Sequence, residues 1–479
     1  MSVIKKLAGQ TAVYGLSSII GRLLNYFLVP LHTTIFLEKE YGEVSEFYSY
    51  VAFFAVMLTF GMETTFFRFV NKSEDKEKTF NQALSIVLAV NALFLLIVFG
   101  FSGQLASLMG YPQYQMYVIW FACILAFDAS SSVLLAKLRF LNQAKKFAII
   151  QLSSIGVNIF LNLFFLLFLI DYFPDTGIGF IFLANLFASL IKPLMLYKEL
   201  SSFRFTIDKA LAKSMIVFAV PLLIASFAGI INETLDRILL KNLLLDQGED
   251  FAKTQVGIYS ANYKLAIFIT IFIQAFRYAA EPFFFAQEKS ADKNKVYSKV
   301  MTWFVIVVAL MFLVIALNLD IFKWFIPNEN YHVGLVVVPV LLLANICLGI
   351  YYNQSIWYKL ADKTKFGAYI AIGGATITIL LNVILIPIFG YVGSAWATLS
   401  CYFSMMVASY LLGKKHYPIK YNLRKVGLYL FTSVGLYFLG LLLSFESKAI
   451  TFVVHSILIL MFIGLVMFME RPLQTLRKK

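Results

Sequence analysis

Fourteen stretches of this chain stay apolar over the length needed to cross a bilayer, and no other feature constrains the fold as strongly. They run over about 9–31, 45–70, 80–108, 114–136, 147–170, 177–198, 214–241, 256–286, 298–320, 332–358, 367–389, 391–412, 424–444 and 449–469. At about 1.5 Å of rise per residue, about 20 helical residues cross about 30 Å of hydrocarbon. Inside that layer no water satisfies the backbone, and segments of this length meet the demand as helices. The prediction is an all-α polytopic membrane protein with 14 transmembrane helices. Only 14% of residues are charged, against about a quarter in soluble domains. No polar stretch is long enough for a soluble domain.

A net charge of +14 could point to nucleic acid, so the location of the charge decides its meaning. Most Lys and Arg sit in every second loop, as in "NKSEDKEKTF", "AKLRFLNQAKK", "KELSSFRFTIDKALAK" and "GKKHYPIKYNLRK", and in the tail "RPLQTLRKK". That alternation is the positive-inside pattern. It predicts cytoplasmic termini and excludes nucleic acid as a partner. The opening "MSVIKKLAGQTAVYGLSSIIGRLL" imitates a signal peptide. Its apolar stretch runs long, contains Arg22 and lacks an A-x-A-like site, so it reads as a retained first helix. Cys123, Cys347 and Cys401 all fall inside apolar segments, which fits membrane packing better than a disulfide or metal framework.

The sequence also repeats. "YGEVSEFYSY" and "VGIYSANYKL" share Gly-x-x-Ser-x-x-Tyr, as Gly42/Ser45/Tyr48 and Gly257/Ser260/Tyr263, at an offset of 215. The same offset carries Arg22 onto Arg237. "RFLNQAKKFAII" and "YKLADKTKFGAY" share Leu-x-x-x-x-Lys-Phe at an offset of 219, followed by Asn158 and Asn162 in one copy and Asn382 in the other. Six helices separate the copies, so both enter the membrane from the same side, as in parallel repeats. The expected organisation is a lobe over 1–213, a second over 214–413, and two added helices with a tail over 414–479.

Charges inside the spans carry the functional signal, because each costs about 2.5–3.5 kcal/mol at the centre of a membrane helix. They are Arg22, Glu63, Arg68, Asp128, Glu233, Asp236, Arg237, Lys264, Arg277 and Glu281, and they concentrate on the first, second, fourth, seventh and eighth segments. In "NETLDRILL", Glu233 and Arg237 are spaced i, i+4 with Asp236 between them, so Glu233 reads as the residue that holds Arg237. Arg22, Arg68, Arg237, Lys264 and Arg277 are the candidate anion-binding residues. Glu63, Asp128, Glu233, Asp236 and Glu281 are candidates for charge pairing or ion coupling. Arg22 and Arg237 read as a cationic pair for phosphate, which guanidinium binds bidentately. Asn25, Tyr26, Asn232, Asn262, Tyr263, Gln274, Tyr278, Asn345, Asn353 and Gln354 could serve a sugar or ordinary hydrogen bonding between helices.

The opening "GQTAVYGLSSIIGRLLNYFLVPLHTTIFLEKEYGEVSEFYSY" and the later "NVILIPIFGYVGSAWATLSCY" resemble the polysaccharide flippases of the multidrug/oligosaccharidyl-lipid/polysaccharide (MOP) exporter superfamily. The resemblance implies two six-helix lobes, with the first, second, seventh and eighth helices lining a central cavity. It implies a flippase that carries an undecaprenyl-pyrophosphate-linked oligosaccharide from the cytoplasmic to the outer leaflet of a bacterial inner membrane. Polysaccharide polymerase machinery would be its working partner, and no cofactor is implied. A cation-coupled multidrug antiporter of the same superfamily is the alternative. The cavity segments carry Arg22, Arg68, Arg237, Lys264 and Arg277 against Glu63, Glu233, Asp236 and Glu281, a narrow basic excess. A sugar polymerase, ligase or acyltransferase would need a catalytic constellation. His32, His332, His416 and His455 are scattered without one.

Overall fold

The computed structural model describes residues 19–470, except 22, 289, 362 and 444 and the side chains of 278, 279, 281, 282 and 286. Its main helices are α1 (Leu28–Ile35), α2 (Glu38–Thr59), α3 (Met62–Val70), α4 (Lys76–Leu108), α5 (Gln115–Phe140), α6 (Ala144–Phe164), α7 (Gly179–Met195), α8 (Lys209–Leu243), α9 (Glu249–Gln287), α10 (Lys293–Leu317), α11 (Val338–Gln354), α12 (Lys365–His416), α13 (Leu423–Leu442) and α14 (Lys448–Glu470). No strand occurs among the described residues. The class is therefore the expected polytopic helical one, with eleven helices in the described residues long and apolar enough to cross a membrane. Large apolar side chains such as Leu96, Phe431 and Phe468 lie 71–80% exposed, as a lipid-facing surface requires.

The expected segments and the observed helices differ in instructive ways. The segment read as 45–70 begins at Glu38, where Glu40 accepts the Leu37 backbone N–H at 2.8 Å and caps the helix. It then breaks between α2 and α3, because Phe60 (φ 51°) and Gly61 (φ 60°) are both left-handed. A bulky residue rarely adopts that region. The Thr65 N–H and hydroxyl both return to the Gly61 carbonyl, at 3.1 and 3.0 Å, and secure the break. Segments 367–389 and 391–412 form the two arms of α12, which doubles back at Gly390 (φ 54°). Ser394 donates to Asn382 at 2.6 Å and the Cys401 thiol to the Gly374 carbonyl at 3.4 Å, so the arms run antiparallel. Segment 177–198 shortens to the 17-residue α7. In segment 9–31, residues 9–18 and 22 lie outside the described residues.

The chain divides into two compact units, residues 1–257 and 258–479, with the boundary inside α9. The repeat lobes expected from the sequence, with ends at 213 and 413, are a different division from these contact units. In the first unit α8 packs on α2 and α3. In the second, α13 and α14 pack on α10 rather than standing apart. The first unit has two apolar cores, one around Leu58, Met62, Phe66, Phe80, Val133 and Met215, the other around Phe47, Tyr111, Phe121 and Phe182. The second unit is held by clusters around Phe284, Tyr297 and Trp357 and around Ala344, Tyr351, Cys401 and Met405.

Helix ends in the first unit are tied by charge. Asp75 caps α4 through the Lys78 N–H at 2.8 Å, and Asp208 caps α8 through the Ala210 and Leu211 N–H groups at 3.0 Å. Lys78 reaches Asp208 at 2.8 Å. That hydrogen bond holds the Asp208 carboxyl below its usual range. The two sequence echoes at "RFLNQAKKF" and "YKLADKTKF" also end helices alike. Gln143 N–H bonds Leu138 O at 2.9 Å, and Lys363 N–H bonds Tyr358 O at 2.8 Å, the same six-residue closure in each copy.

Candidate functional site

The offset of 215 acquires a physical meaning in the first unit. A Cβ on Gly42 would fall inside the radius of the Lys253 carbonyl oxygen, and a Cβ on Gly257 inside that of the Glu38 carbonyl oxygen. Gly42 and Gly257 are repeat mates, and so are Glu38 and Lys253. Residue i of one copy therefore meets residue j of the other, and the reverse contact holds too. Such reciprocity is what a two-fold relation produces. Only glycine lets α2 and the start of α9 approach so closely.

Beside this crossing lies a buried ionic cluster. Glu46 on α2 and Lys241 on α8 form an ion pair at 3.1 Å with side chains 1% and 3% exposed. The Tyr111 hydroxyl donates to Glu46 Oε2 at 2.5 Å, and the Tyr50 hydroxyl to Oε1 at 3.2 Å. Lys241 also donates to the Met109 carbonyl at 2.8 Å and lies 3.8 Å over the Tyr111 ring. The loop that supplies Met109 and Tyr111 turns at Gly110 (φ 81°), where Tyr111 N–H closes onto Ala106 O at 2.8 Å. A second cation, Lys253, joins Glu43 at 2.8 Å and Glu249 at 2.7 Å. Four of these groups, Glu43, Glu46, Lys241 and Lys253, sit at the ends of apolar segments and were not among the residues singled out from sequence. The signal was present as a stripe, since Glu43, Glu46 and Tyr50 fall at i, i+3 and i+7 on one helix face.

The residues singled out from sequence are distributed more widely. Arg237 on α8 is mostly buried and paired, but the carboxylate that meets it is Asp236, at 2.7 Å. Glu233 contributes its backbone carbonyl instead, at 2.5 Å from Nη1. Spacing placed Glu233 and Arg237 on one stripe; the arginine bends back so that the guanidinium reaches the Glu233 backbone. Glu63 pairs with Arg139 at an exposed position, and Asp128 with Lys192 at 2.8 Å. Arg68 stacks on Phe218 at 4.2 Å and Arg277 on Tyr352 at 4.0 Å. Lys264 is half-buried on α9. Arg22 and the Glu281 side chain lie outside the described residues.

The polar residues considered for sugar binding are drawn largely into helix packing. Asn25 accepts from Asn158 at 3.0 Å. Asn262 donates to the Ile258 and Tyr331 carbonyls, each at 2.8 Å, and Asn345 to the Ala266 carbonyl at 3.0 Å. Asn353 and Gln354 are buried with the Asn353 Nδ2 and Gln354 Oε1 atoms lacking partners. No group of three or more His, Cys, Asp or Glu suited to a metal occurs among the described residues.

Residues 7–286 match the family described as polysaccharide biosynthesis protein, which is more than half of the 479-residue chain. No curated protein matches the sequence. Among solved structures, the fold is similar to lipid II flippase MurJ in an inward closed conformation. The TM-score is 0.74 at 13% identity, covering 94% of this chain and 98% of that one. It is also similar to the MATE multidrug transporter DinF-BH (TM-score 0.65, 16% identity, 87% of this chain and 97% of that one). A mutant of the Vibrio cholerae MATE transporter VcmN gives 0.59 at 14% identity, covering 90% of this chain and 100% of that one. At these identities the likeness is one of fold. The chain belongs to the polysaccharide biosynthesis protein family.

Proposed function

We propose that this protein is a flippase for an undecaprenyl-pyrophosphate-linked oligosaccharide, working by alternating access in a bacterial inner membrane with both termini in the cytoplasm. The observation that carries the reading is the match of residues 7–286 to a polysaccharide biosynthesis family in a chain of membrane-crossing helices. The fold shared with a lipid II flippase supports a lipid-linked cargo. Arg237 supplies a guanidinium within a membrane helix, and its Asp236 partner keeps the charge compensated when no cargo is bound. Arg22 joins it from the other repeat. The lobes of the transport cycle are 1–213 and 214–413, and 414–479 adds two helices.

Charge-assisted hydrogen bonds contribute about 1.5–3 kcal/mol, so Arg237→Ala at wild-type membrane levels lowers cargo affinity at least about tenfold. Arg237→Lys keeps charge without the bidentate fork and gives a partial defect. Transport of a fluorescent lipid-linked oligosaccharide in proteoliposomes checks both, and normal transport by Arg237→Ala would make the arginine structural. Orientation has its own test. Ser201→Cys and Gln247→Cys change exposed positions on successive loops. In intact cells an impermeant thiol reagent labels 247 and spares 201; the reverse pattern inverts the topology.

A cation-coupled multidrug antiporter is the second reading. It is favoured by the MATE folds and by the Glu233 carboxylate, which is exposed and has no ion pair among the described residues. Efflux of a cationic dye from proteoliposomes, abolished by Glu233→Gln, would establish it over the flippase.

A further inference from the structure

In the second unit, α9 has cavities on two adjacent flanks, and Phe276 lines both. On one flank Phe272, Phe276 and Phe283 face Val300, Trp303 and Val307 of α10 across an apolar groove of about 440 Å³. Phe304 contributes to its wall, with ring centroids 4.6 Å from Phe276 and 6.0 Å from Phe272. Lys299, the one charged residue lining this groove among the described residues, sits one helical turn before Trp303. Phe304 reaches the α9 stripe, but along the rest of the groove the apolar side chains forgo the contacts that packed helices make. Something apolar belongs there.

On the other flank, Arg277, Tyr352, Asn353 and Lys359 line a pocket of about 20 Å³, room for a group the size of a water. Arg277 lies against the Tyr352 ring, and no carboxylate among the described residues pairs with it. Asn353 is 2% exposed and its Nδ2 has no acceptor among the described residues. Lys359 adds a second cation to the lining. A half-buried membrane arginine and a buried amide N–H without an acceptor are each unfavourable, and one anion satisfies both. Donors on one flank and an apolar groove on the next describe an amphiphile with a phosphate head and a long chain.

We propose that this pair of cavities holds a resident anionic phospholipid of the surrounding bilayer. One phosphate oxygen enters the pocket to meet Arg277 and Asn353 while the rest of the headgroup stays at its mouth, and one acyl chain lies in the groove between Phe272 and Trp303. The small polar pocket admits a single phosphate oxygen and leaves no room for a sugar. Lys293, Lys295 and Lys299 fall in the first two turns of α10, with Lys299 on the groove itself, and such a basic cluster attracts the anionic lipids of the cytoplasmic leaflet. Trp303, just deeper than Lys299, is placed as an interfacial anchor. Only the choice of leaflet rests on the orientation proposed above.

The full-length protein, purified and delipidated, is titrated with phosphatidylglycerol, diacylglycerol and undecaprenyl phosphate, with binding read by native mass spectrometry. Phosphatidylglycerol binds at least about tenfold tighter than diacylglycerol, and Arg277→Gln and Lys359→Gln each weaken it by at least about tenfold. It also raises the melting temperature of the wild type more than that of either variant. Where Arg277→Gln fails to fold, Lys359→Gln carries the comparison. Equal affinity for phosphatidylglycerol and diacylglycerol, or unchanged affinity in the folded variants, overturns the proposal. Displacement of phosphatidylglycerol by equimolar undecaprenyl phosphate also overturns it and assigns the site to the cargo's carrier. A wild-type protein that moves no lipid-linked oligosaccharide would defeat the flippase reading and leave these titrations standing.

Discussion

Glu46→Ala destabilises the protein by about 3–5 kcal/mol, the penalty expected when one member of a buried ion pair is removed and the other charge stays behind. Lys241 would keep its contacts to Met109 O and the Tyr111 ring but lose its carboxylate, while Tyr111 would lose the acceptor at 2.5 Å. The pair itself need not be strongly stabilising, because desolvation offsets most of the Coulomb attraction. Glu46→Gln combined with Lys241→Met therefore recovers most of the loss, and the double-mutant cycle gives a large coupling energy. Glu63→Ala is the control. Its pair with Arg139 is about 40% exposed on both sides, so its loss falls within about 1 kcal/mol. Unfolding in detergent, followed by intrinsic fluorescence, checks these variants; a Glu46→Ala protein as stable as the control would remove the cluster from any structural role.

Substitution at the glycine crossing has the second large effect. Gly42→Ala and Gly257→Ala each press a methyl group onto a backbone carbonyl, which cannot rotate away as a side chain can. The helices must separate, and overpacking of this kind costs about 1–3 kcal/mol or more. Because the two contacts are reciprocal, the double variant is less destabilised than the sum of the singles: once the helices have moved apart, the second methyl finds space. Gly435→Ala on α13 is the opposite case. Nothing lies within 4 Å of its Cβ position, so removing a helical glycine there stabilises by up to about 1 kcal/mol. Melting temperatures of the four variants decide the matter, and equal effects at 42 and 435 would contradict the close approach.

Much of the fold was legible because hydrocarbon leaves a chain few choices. Apolar length and the absence of water dictate helices. The duplication was legible at Gly42/Gly257 because the same backbone approach is needed in both copies, so the same residue recurs. Break points were less legible. Nothing in "MLTFGMETT" marks Phe60 for a left-handed backbone, and the break there is secured by the hydrogen bonds that close around Gly61.

The candidate site was legible in residue type and hidden in partnership. Arg237 stood out as a charge in a greasy helix, and a one-dimensional spacing rule assigned it Glu233. The fold gave it the carboxylate of Asp236 and the Glu233 carbonyl, because side-chain direction settles such contacts as much as residue spacing does. Glu46 and Lys241, 195 positions apart, were passed over because each looked like an ordinary segment-end charge. By itself the sequence determined the solvent, the helical class, the repeat and the excess of cations within the spans, since these follow from local composition and period. Tertiary structure alone decided which charges neutralise each other, that α8 packs with the helices before it, and that Gly42 and Gly257 meet. Those outcomes depend on how helices rotate and pack against one another, and that information is spread over every residue at the contact.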